Sequence, residues 1–127
     1  MGRLLKTAAA ALLLLAAAGP VLFFHCEGAG PALTVGETYE VRACKVVGGN
    51  RFEVYLDDGW IEARTAGVPL DGAAEAARDM LSDAVPPPPT VRVIRREKFW
   101  WLVDLELTLP GGRESMADAL RRLGLSR

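Results

Sequence analysis

The chain has one histidine and two cysteines, the side chains that most often bind transition metals or act as nucleophiles. A structural zinc site takes four ligands at defined spacing, so His25, Cys26 and Cys44 predict none. In an oxidising compartment the two cysteines could pair. They could equally be a linker thiol, Cys26, and a buried apolar residue, Cys44. The lone histidine precedes the predicted folded part, where we interpret it as a linker residue.

Aromatic and basic side chains are the other candidates for a functional surface. Side chains alternate between the two faces of a strand, and those of Tyr55, Trp60 and Trp100 fall on the outward face of their predicted strands. An exposed patch formed by these three would indicate a partner surface. A basic cluster precedes the last predicted strand: Arg92, Arg95, Arg96 and Lys98. This cluster is either a solvated hairpin or a contact for nucleic acid or anionic lipid.

An uncharged apolar segment rich in alanine and leucine runs from residue 7 to residue 24. Arg3 and Lys6 precede it, and every acidic residue follows it. This pattern is typical of an export signal or a signal anchor. The segment is close to the length that crosses a bilayer, while Ala16 to Ala18 offers small residues to a signal peptidase. Residues 1–25 are therefore predicted to be a cleaved signal peptide or a membrane anchor, and the protein to be exported.

The exported part carries a small acidic excess. Without Arg3 and Lys6, 13 basic residues face 16 acidic ones. Proteins that grip a phosphate backbone usually carry a basic excess. Nucleic acid is therefore possible but not favoured as a partner. The expectation is an unknown protein or small ligand, with membrane contact through the N-terminal segment.

A linker rich in glycine, alanine and proline is predicted at residues 26–37, and three strands follow it. Apolar and polar residues alternate in two of the strands, which is typical of half-buried strands. Glycine-containing turns separate all three. The predicted strands are Thr38 to Val47, Arg51 to Asp57 and Trp60 to Ala66.

The second half of the domain predicts a helix, two strands and a closing helix. Apolar residues at helical spacing follow Asp71, a possible N-cap, and continue to Ala84. Four prolines at residues 86–89 predict a stiff extended connector. Ser115 and Asp118 form a near capping box for the closing helix. The two strands are predicted at Val91 to Ile94 and Phe99 to Leu109.

This order of elements favours a closed β structure. Three short meandering strands cannot bury a core as a flat sheet in so small a chain, whereas a barrel removes the exposed edges. We expect residues 38–127 to be mostly β with helices. The expected fold is a five-stranded OB-fold barrel of order βββ-α-ββ-α, preceded by an N-terminal apolar helix.

Four segments of the domain resemble the staphylococcal nuclease-like (thermonuclease) family: VVGGNRF, RTAGVPLDG, KFWWLVDLEL and MADALRRLGLS. The resemblance covers roughly residues 39 to 126 and implies the same OB-fold barrel. Active members cleave phosphodiester bonds with calcium, which takes oxygen ligands, chiefly carboxylates. A further carboxylate activates water, and two arginines stabilise the charge that develops on the phosphate.

Carried onto this sequence, the resemblance retains one of five functional positions. Arg64 matches the first arginine. Asn50, Pro69 and Gly72 stand where the family has carboxylates, and Trp101 stands at the second arginine. The resemblance therefore implies a degenerate active site without catalysis, metal ligands or a cofactor.

Asp71 and Arg64 keep an active alternative open. Asp71 lies one position from the lost glutamate and could take its place, or it could simply cap the helix. Arg64 is either a retained anion contact or an ordinary solvated or paired arginine. With a carbonyl oxygen from Asn50, these residues would make a divergent calcium-dependent nuclease acting on DNA or RNA.

Trp101 also has two interpretations. Its position in the alternating strand places it on the apolar face. There it would fill the space that a phosphate enters in an active relative. Alternatively it belongs to a ligand-stacking surface, because OB barrels bind bases or sugars on aromatic faces. The candidate binding residues are Asn50, Trp60, Trp100 and Trp101.

The sequence thus predicts an exported or membrane-tethered staphylococcal nuclease-like domain without catalysis. Its expected role is that of a binding or interaction module in the cell envelope. The rivals are the divergent nuclease and a purely structural module.

Overall fold

The computed structural model describes residues 31–127, which are mostly β with two helices, as the sequence predicted. The strands are β1 (Thr38–Glu40), β2 (Ala43–Val46), β3 (Arg51–Leu56), β4 (Gly59–Arg64), β5 (Val85–Arg96), β6 (Trp101–Leu109) and β7 (Gly112–Ser115). The helices are α1 (Ala73–Asp83) and α2 (Met116–Arg122).

The predicted signal or anchor, with its apolar helix, lies outside the described residues, as do His25 and Cys26. Between residues 31 and 127, no helix is long and apolar enough to cross a membrane. The compact unit begins at Pro31, within the predicted linker. Pro31 is buried, Leu33 packs against the core, and the Gly36 N–H donates to the Val93 carbonyl at 2.7 Å.

The strands form one sheet in the order β1-β5-β6-β4-β3-β2, and β7 pairs with the second half of β6. The β4–β6 pairing is parallel, and the other pairings are antiparallel. The first and last strands of this order, β1 and β2, are not joined by a ladder. Among the described residues the sheet is therefore open, because no ladder joins its two outer strands.

The described residues form seven strands because the first predicted strand is divided and β7 is added. Between β1 and β2 the backbone changes partners at two adjacent residues. The Val41 N–H donates to the Pro89 carbonyl at 2.9 Å, and the Arg42 N–H donates to the Tyr55 carbonyl at 2.8 Å. Strand β7 ends at Ser115, the residue that the sequence predicted as the cap of the closing helix.

The four prolines were predicted as a stiff extended connector after the helix, and in the structure this extended stretch belongs to β5. Proline φ angles fit an extended strand, and only the N–H groups are missing. The carbonyls remain available: that of Pro88 accepts from Arg113 Nη2 at 3.4 Å, and that of Pro89 accepts from Val41. The β5–β6 register shifts between Val85 and Thr90, where the missing donors interrupt the ladder.

The core is built from every second residue of the strands and from the helix faces that carry small side chains. Phe52, Val54 and Leu56 of β3 are buried, as their alternation predicted. The inward residues of β6 are buried with them: Val103, Leu105 and Leu107. Alanines let the helices approach the sheet closely, and their buried residues are Ala73, Ala77, Met80, Met116, Ala119 and Leu120.

The two predicted helix caps had different outcomes. Gly72, not Asp71, is the N-cap of α1, and no side chain caps that helix. Gly72 has φ of 91°, a left-handed conformation that glycine adopts without a steric penalty, and this places Asp71 one residue outside the helix. Ser115 does cap α2, because its Oγ accepts the Asp118 N–H at 3.0 Å.

Cys44 lies half-buried on β2 and packs against the core. Burial raises the pKa of its thiol from 9.0 to about 12. At pH 8 the thiol is therefore protonated, and only the thiolate is a good nucleophile. This environment favours the interpretation of Cys44 as a buried apolar residue.

We expect a Cys26→Ser variant to react slowly with iodoacetamide at pH 8 while folded. The pKa shift alone lowers the thiolate fraction by about a thousandfold relative to an ordinary cysteine. Mass spectrometry of the native and urea-unfolded protein measures both rates. Equal rates in the two states would show that the Cys44 thiol is exposed and not held by the core.

Candidate functional site

Two connections leave the sheet at one end, which we call the loop end. They are the turn at residues 47–50 and the segment at 65–72, because Arg51 at the start of β3 pairs with Arg64 at the end of β4. Strand β6 runs parallel to β4 and begins beside its last two residues, with Trp101 opposite Ala63 and Leu102 opposite Arg64. The hairpin at residues 97–100, which precedes β6, therefore leaves the sheet in the opposite direction. Of the predicted site residues, Asn50, Arg64 and Asp71 belong to the loop end, Trp100 and Trp101 lie where the hairpin meets the end of β4, and Trp60 lies near the start of β4.

The turn and the segment meet at Gly49 and Pro69. A Cβ on Gly49 would lie 2.3 Å from Pro69 Cβ and 2.9 Å from Ala73 Cβ, closer than carbon atoms approach. Only glycine fits here without movement of its neighbours. The proline ring occupies the space beside the turn, where the resemblance implies a carboxylate-lined site.

Asn50 joins the same two elements through hydrogen bonds. Its backbone carbonyl accepts the Thr65 N–H at 3.0 Å. Its side-chain Nδ2 donates to the carbonyls of Thr65 at 3.5 Å and Gly67 at 3.4 Å. The amide group therefore holds the 65–72 segment with its nitrogen. This arrangement gives Asn50 a structural task that the sequence did not predict.

Arg64 is paired on two sides. Its Nη2 and Nε donate to Glu62 Oε2 at 2.9 and 3.1 Å, and its guanidinium carbon lies 4.5 Å from the centre of the Trp100 ring. The same Glu62 oxygen lies 3.4 Å from Nε of Arg51, which sits directly opposite Arg64 across the strands. Like charges facing each other destabilise a strand pair, and the shared carboxylate offsets this repulsion. Of the two predicted roles, the structure places Arg64 in the paired one.

Trp101 is half-buried and packs against the core, as its parity predicted. The guanidinium of Arg96 lies over its ring, 4.6 Å from the centroid. Phe99 at the hairpin tip is covered in the same way by the Lys98 ammonium at 5.4 Å. The hairpin at residues 97–100 and its neighbours thus carry three stacks of a cation on an aromatic ring, counting Arg64 on Trp100. Sequence reasoning missed them, although the run of basic and then aromatic residues in RREKFWW was a usable signal.

Two members of the predicted patch are in contact. Tyr55 and Trp60 pair across β3 and β4 beside the β3–β4 turn, with ring centroids 5.2 Å apart. Trp100 is stacked with the guanidinium of Arg64. That Trp100 joins Tyr55 and Trp60 in one patch stays a prediction.

The calcium site implied by the resemblance does not fit the residues present. Pro69 and Gly72 offer no side-chain oxygen, and the Asn50 amide nitrogen faces backbone carbonyls. Asp71 is exposed. Within residues 31–127, no three His, Cys, Asp or Glu side chains come together in a way that could hold a metal ion.

No protein-family model matches this chain, and no curated protein matches it in sequence. The family assignment therefore rests on the four segments quoted above, and it remains a proposal. The geometry of the loop end is independent of that assignment.

We expect Gly49→Ala to destabilise the fold by roughly 1–3 kcal/mol, because its methyl group overlaps Pro69 and Ala73. Gly48→Ala is the matched control. The nearest side-chain atom to its new methyl group is Arg51 Cβ at 3.9 Å, so the cost should stay within about 0.5 kcal/mol. Urea unfolding followed by circular dichroism measures both. Equal costs would show that the turn does not press against the proline.

Arg64→Ala should expose the Trp100 ring and shift tryptophan emission to the red. A Trp60→Phe background leaves Trp100 and Trp101 as the emitting residues. Arg51→Ala is the control, since it shares the Glu62 partner and pairs opposite Arg64. It should leave the emission maximum unchanged. If both substitutions shift the spectrum equally, the stack of Arg64 on Trp100 is not what shields the ring.

Proposed function

We propose that residues 38–127 are a staphylococcal nuclease-like domain that has lost its nuclease chemistry and acts as a binding module in the cell envelope. Its strands support a five-stranded OB-type interpretation if β1 and β2 are halves of one bent strand. Only Val41 and Arg42 separate these halves, which pair with β5 and β3 respectively. If β1 and β2 are counted as one strand and β7 as an addition, each of the five strands pairs with two others. The series of pairings then closes on the first strand.

The loss of catalysis is supported by the loop end itself. Phosphodiester hydrolysis needs an activated water and a cation that is free to meet the charge developing on the phosphate. Arg64 is instead bound to Glu62 and stacked on Trp100. The ring of Pro69 lies against Gly49, where a ligand-bearing side chain would be needed. This replacement of carboxylates by packed apolar groups is the observation that carries the proposal.

A binding role is supported by the aromatic and basic side chains of the β5–β6 hairpin. Cations are stacked on aromatic rings at residues 97–100 and on their neighbours. Aromatic and arginine side chains are enriched where proteins bind partners. The predicted signal or anchor segment would place this surface outside the cytoplasm, exported and either tethered or released.

The first test is an assay for calcium-dependent cleavage of single-stranded DNA and RNA. We expect neither calcium binding by titration calorimetry nor cleavage, because the donor set is missing. Metal-dependent turnover that Arg64→Ala abolishes would establish the nuclease alternative instead.

A second variant tests whether a site can be rebuilt by restoring its carboxylates. We expect Asn50→Asp, Pro69→Asp and Gly72→Glu together to gain no calcium binding, because Gly72 has φ of 91° and a side chain there would strain the backbone. Calcium binding by this variant, with cooperative unfolding retained, would show that the metal cavity persists. The domain would then be a nuclease lacking only its ligands.

A further inference from the structure

We propose that the outer face of the β3–β4 hairpin binds a basic segment of a partner protein. An arginine or lysine side chain of the partner would lie on the exposed rings of Tyr55 and Trp60 and bind the carboxylates beside them. This inference deepens the binding function proposed above and rests on it. It gives that function a partner of defined chemistry.

Tyr55 and Trp60 form a rigid aromatic surface on the sheet. They lie directly opposite each other in the β3–β4 ladder, with ring centroids 5.2 Å apart. The residues next to them, Val54 and Ile61, are buried, so the two rings project from the outer face. Trp60 is 52% exposed and Tyr55 37%. Tryptophan and tyrosine in such a position are the side chains that most often carry the energy of a protein contact.

Carboxylates flank both rings. Each ring has an acidic residue two positions before it and two positions after it: Glu53 and Asp57 about Tyr55, and Asp58 and Glu62 about Trp60. Residues two positions apart share one face of a strand, and Asp57 with Asp58 makes the turn of the hairpin. The aromatic pair therefore lies between two sets of negative charge, which favours a cationic partner.

Two of these four carboxylates are bound by arginines of the same chain. Arg42 Nε donates to Asp57 Oδ1 at 2.7 Å, and Arg64 Nη2 donates to Glu62 Oε2 at 2.9 Å. Within residues 31–127, Glu53 and Asp58 take part in no ion pair. Lys45 lies opposite Glu53 in the β2–β3 ladder, but no ion pair joins them. Glu53 and Asp58 can thus accept hydrogen bonds from a partner.

Arg64 shows that this face can hold a guanidinium. Its guanidinium carbon lies 4.5 Å from the centre of the Trp100 ring, and it donates to Glu62, two positions away on β4. An aromatic ring and a carboxylate together bind this one cation. Trp60 and Glu53 are diagonal neighbours across the ladder, about 7–8 Å apart and within reach of one long side chain. They offer the same two kinds of contact to an arginine of another chain.

Trp60 differs from the other exposed rings in its own chain's cations. Arg64, Arg96 and Lys98 lie over Trp100, Trp101 and Phe99 respectively. In the part of the chain that the structure describes, no arginine or lysine lies over the Trp60 ring. Tryptophan is the aromatic residue that attracts a cation most strongly. A cation from a partner would complete at Trp60 the stack that the other rings already have.

The same charges disfavour other partners at this face. The carboxylates would repel the phosphates of a nucleic acid or of an anionic lipid. A neutral oligosaccharide could stack on the rings and donate its hydroxyl groups to the carboxylates, but it would leave their charges without a counterion. A basic protein segment satisfies the rings and the charges together.

The start of the described chain does not cover the pair. A Cβ on Gly59 would lie 3.7 Å from the Pro31 ring. Consecutive residues of a strand project to opposite faces, so Pro31 lies on the face of β4 opposite to Trp60. The aromatic pair therefore stays open to a partner.

The experiment uses the full chain in a neutral detergent, because residues 7–24 are apolar. Titration calorimetry measures its binding to a capped peptide of alternating arginine and alanine. The matched control peptide has glutamine in place of arginine. We expect the arginine peptide alone to bind, and its affinity to fall as salt is added, because the charges are at the surface.

Matched variants identify the surface. Trp60→Ala and Glu53→Gln should each weaken binding of the arginine peptide about fivefold or more. Phe99→Ala removes another exposed ring, and Glu75→Gln removes an exposed carboxylate on α1, so both should bind as the parent does. Equal weakening by Phe99→Ala and Trp60→Ala would overturn the assignment to the aromatic pair.

Thermal unfolding followed by circular dichroism separates loss of binding from loss of fold. Trp60→Ala removes a cross-strand contact and will lower stability somewhat. Glu53→Gln removes one of two carboxylates that face each other in the ladder, and it should not lower stability. Full binding by a folded Glu53→Gln variant would therefore count against the inference even if Trp60→Ala unfolds.

Three further outcomes overturn the inference without touching the proposed function. The first is no binding of the arginine peptide, and the second is equal binding of the glutamine peptide. The third is binding of cellohexaose that Trp60→Ala abolishes, without binding of the arginine peptide, which would assign the pair to a carbohydrate. Calcium-dependent cleavage in the separate assay is the result that would remove the proposed function itself.

Discussion

The close approach of Gly49 and Pro69 determines the shape of the loop end. Because residue 49 has no side chain, the proline ring rests against the turn, and the segment that leads into α1 is held there. The hydrogen bonds of Asn50 to Thr65 and Gly67 then join the same two elements. Arg64, one residue before that segment, pairs with Leu102 of β6. The turn and the segment are thus held together by packing and hydrogen bonds.

Arg64 shows how a site can keep a residue and lose its chemistry. A guanidinium that donates Nε and Nη2 to Glu62 and stacks on Trp100 would lose these contacts by turning to a phosphate. The pair of arginines across β3 and β4 makes this arrangement necessary, because two facing cations need the carboxylate between them. The residue that the resemblance implies for catalysis therefore belongs to the framework of the sheet.

The sequence predicted what depends on local periodicity and missed what depends on register. The alternation of Phe52, Val54 and Leu56 located β3 and its buried face, and helical spacing located both helices. The extended backbone of the four prolines was predicted, but their place in the sheet depends on pairing with β6 and was not. The contact of Arg64 with Trp100 could not be foreseen, since it depends on β4 lying parallel to β6. The sequence predicted Asn50 in the turn after β2, but its bonds to the 65–72 segment depend on how distant parts of the chain meet.

The prolines of β5 have a consequence for how copies of the molecule behave towards each other. Between Val85 and Thr90, the strand presents carbonyl groups with no N–H donor among them. Two of those carbonyls are already taken by Arg113 and Val41. A strand from a second chain would find no ladder to extend along this stretch, and natural sheets use proline in this way to prevent edge-to-edge aggregation. This stretch of β5 is thus protected from pairing with a second copy of the chain at high local concentration.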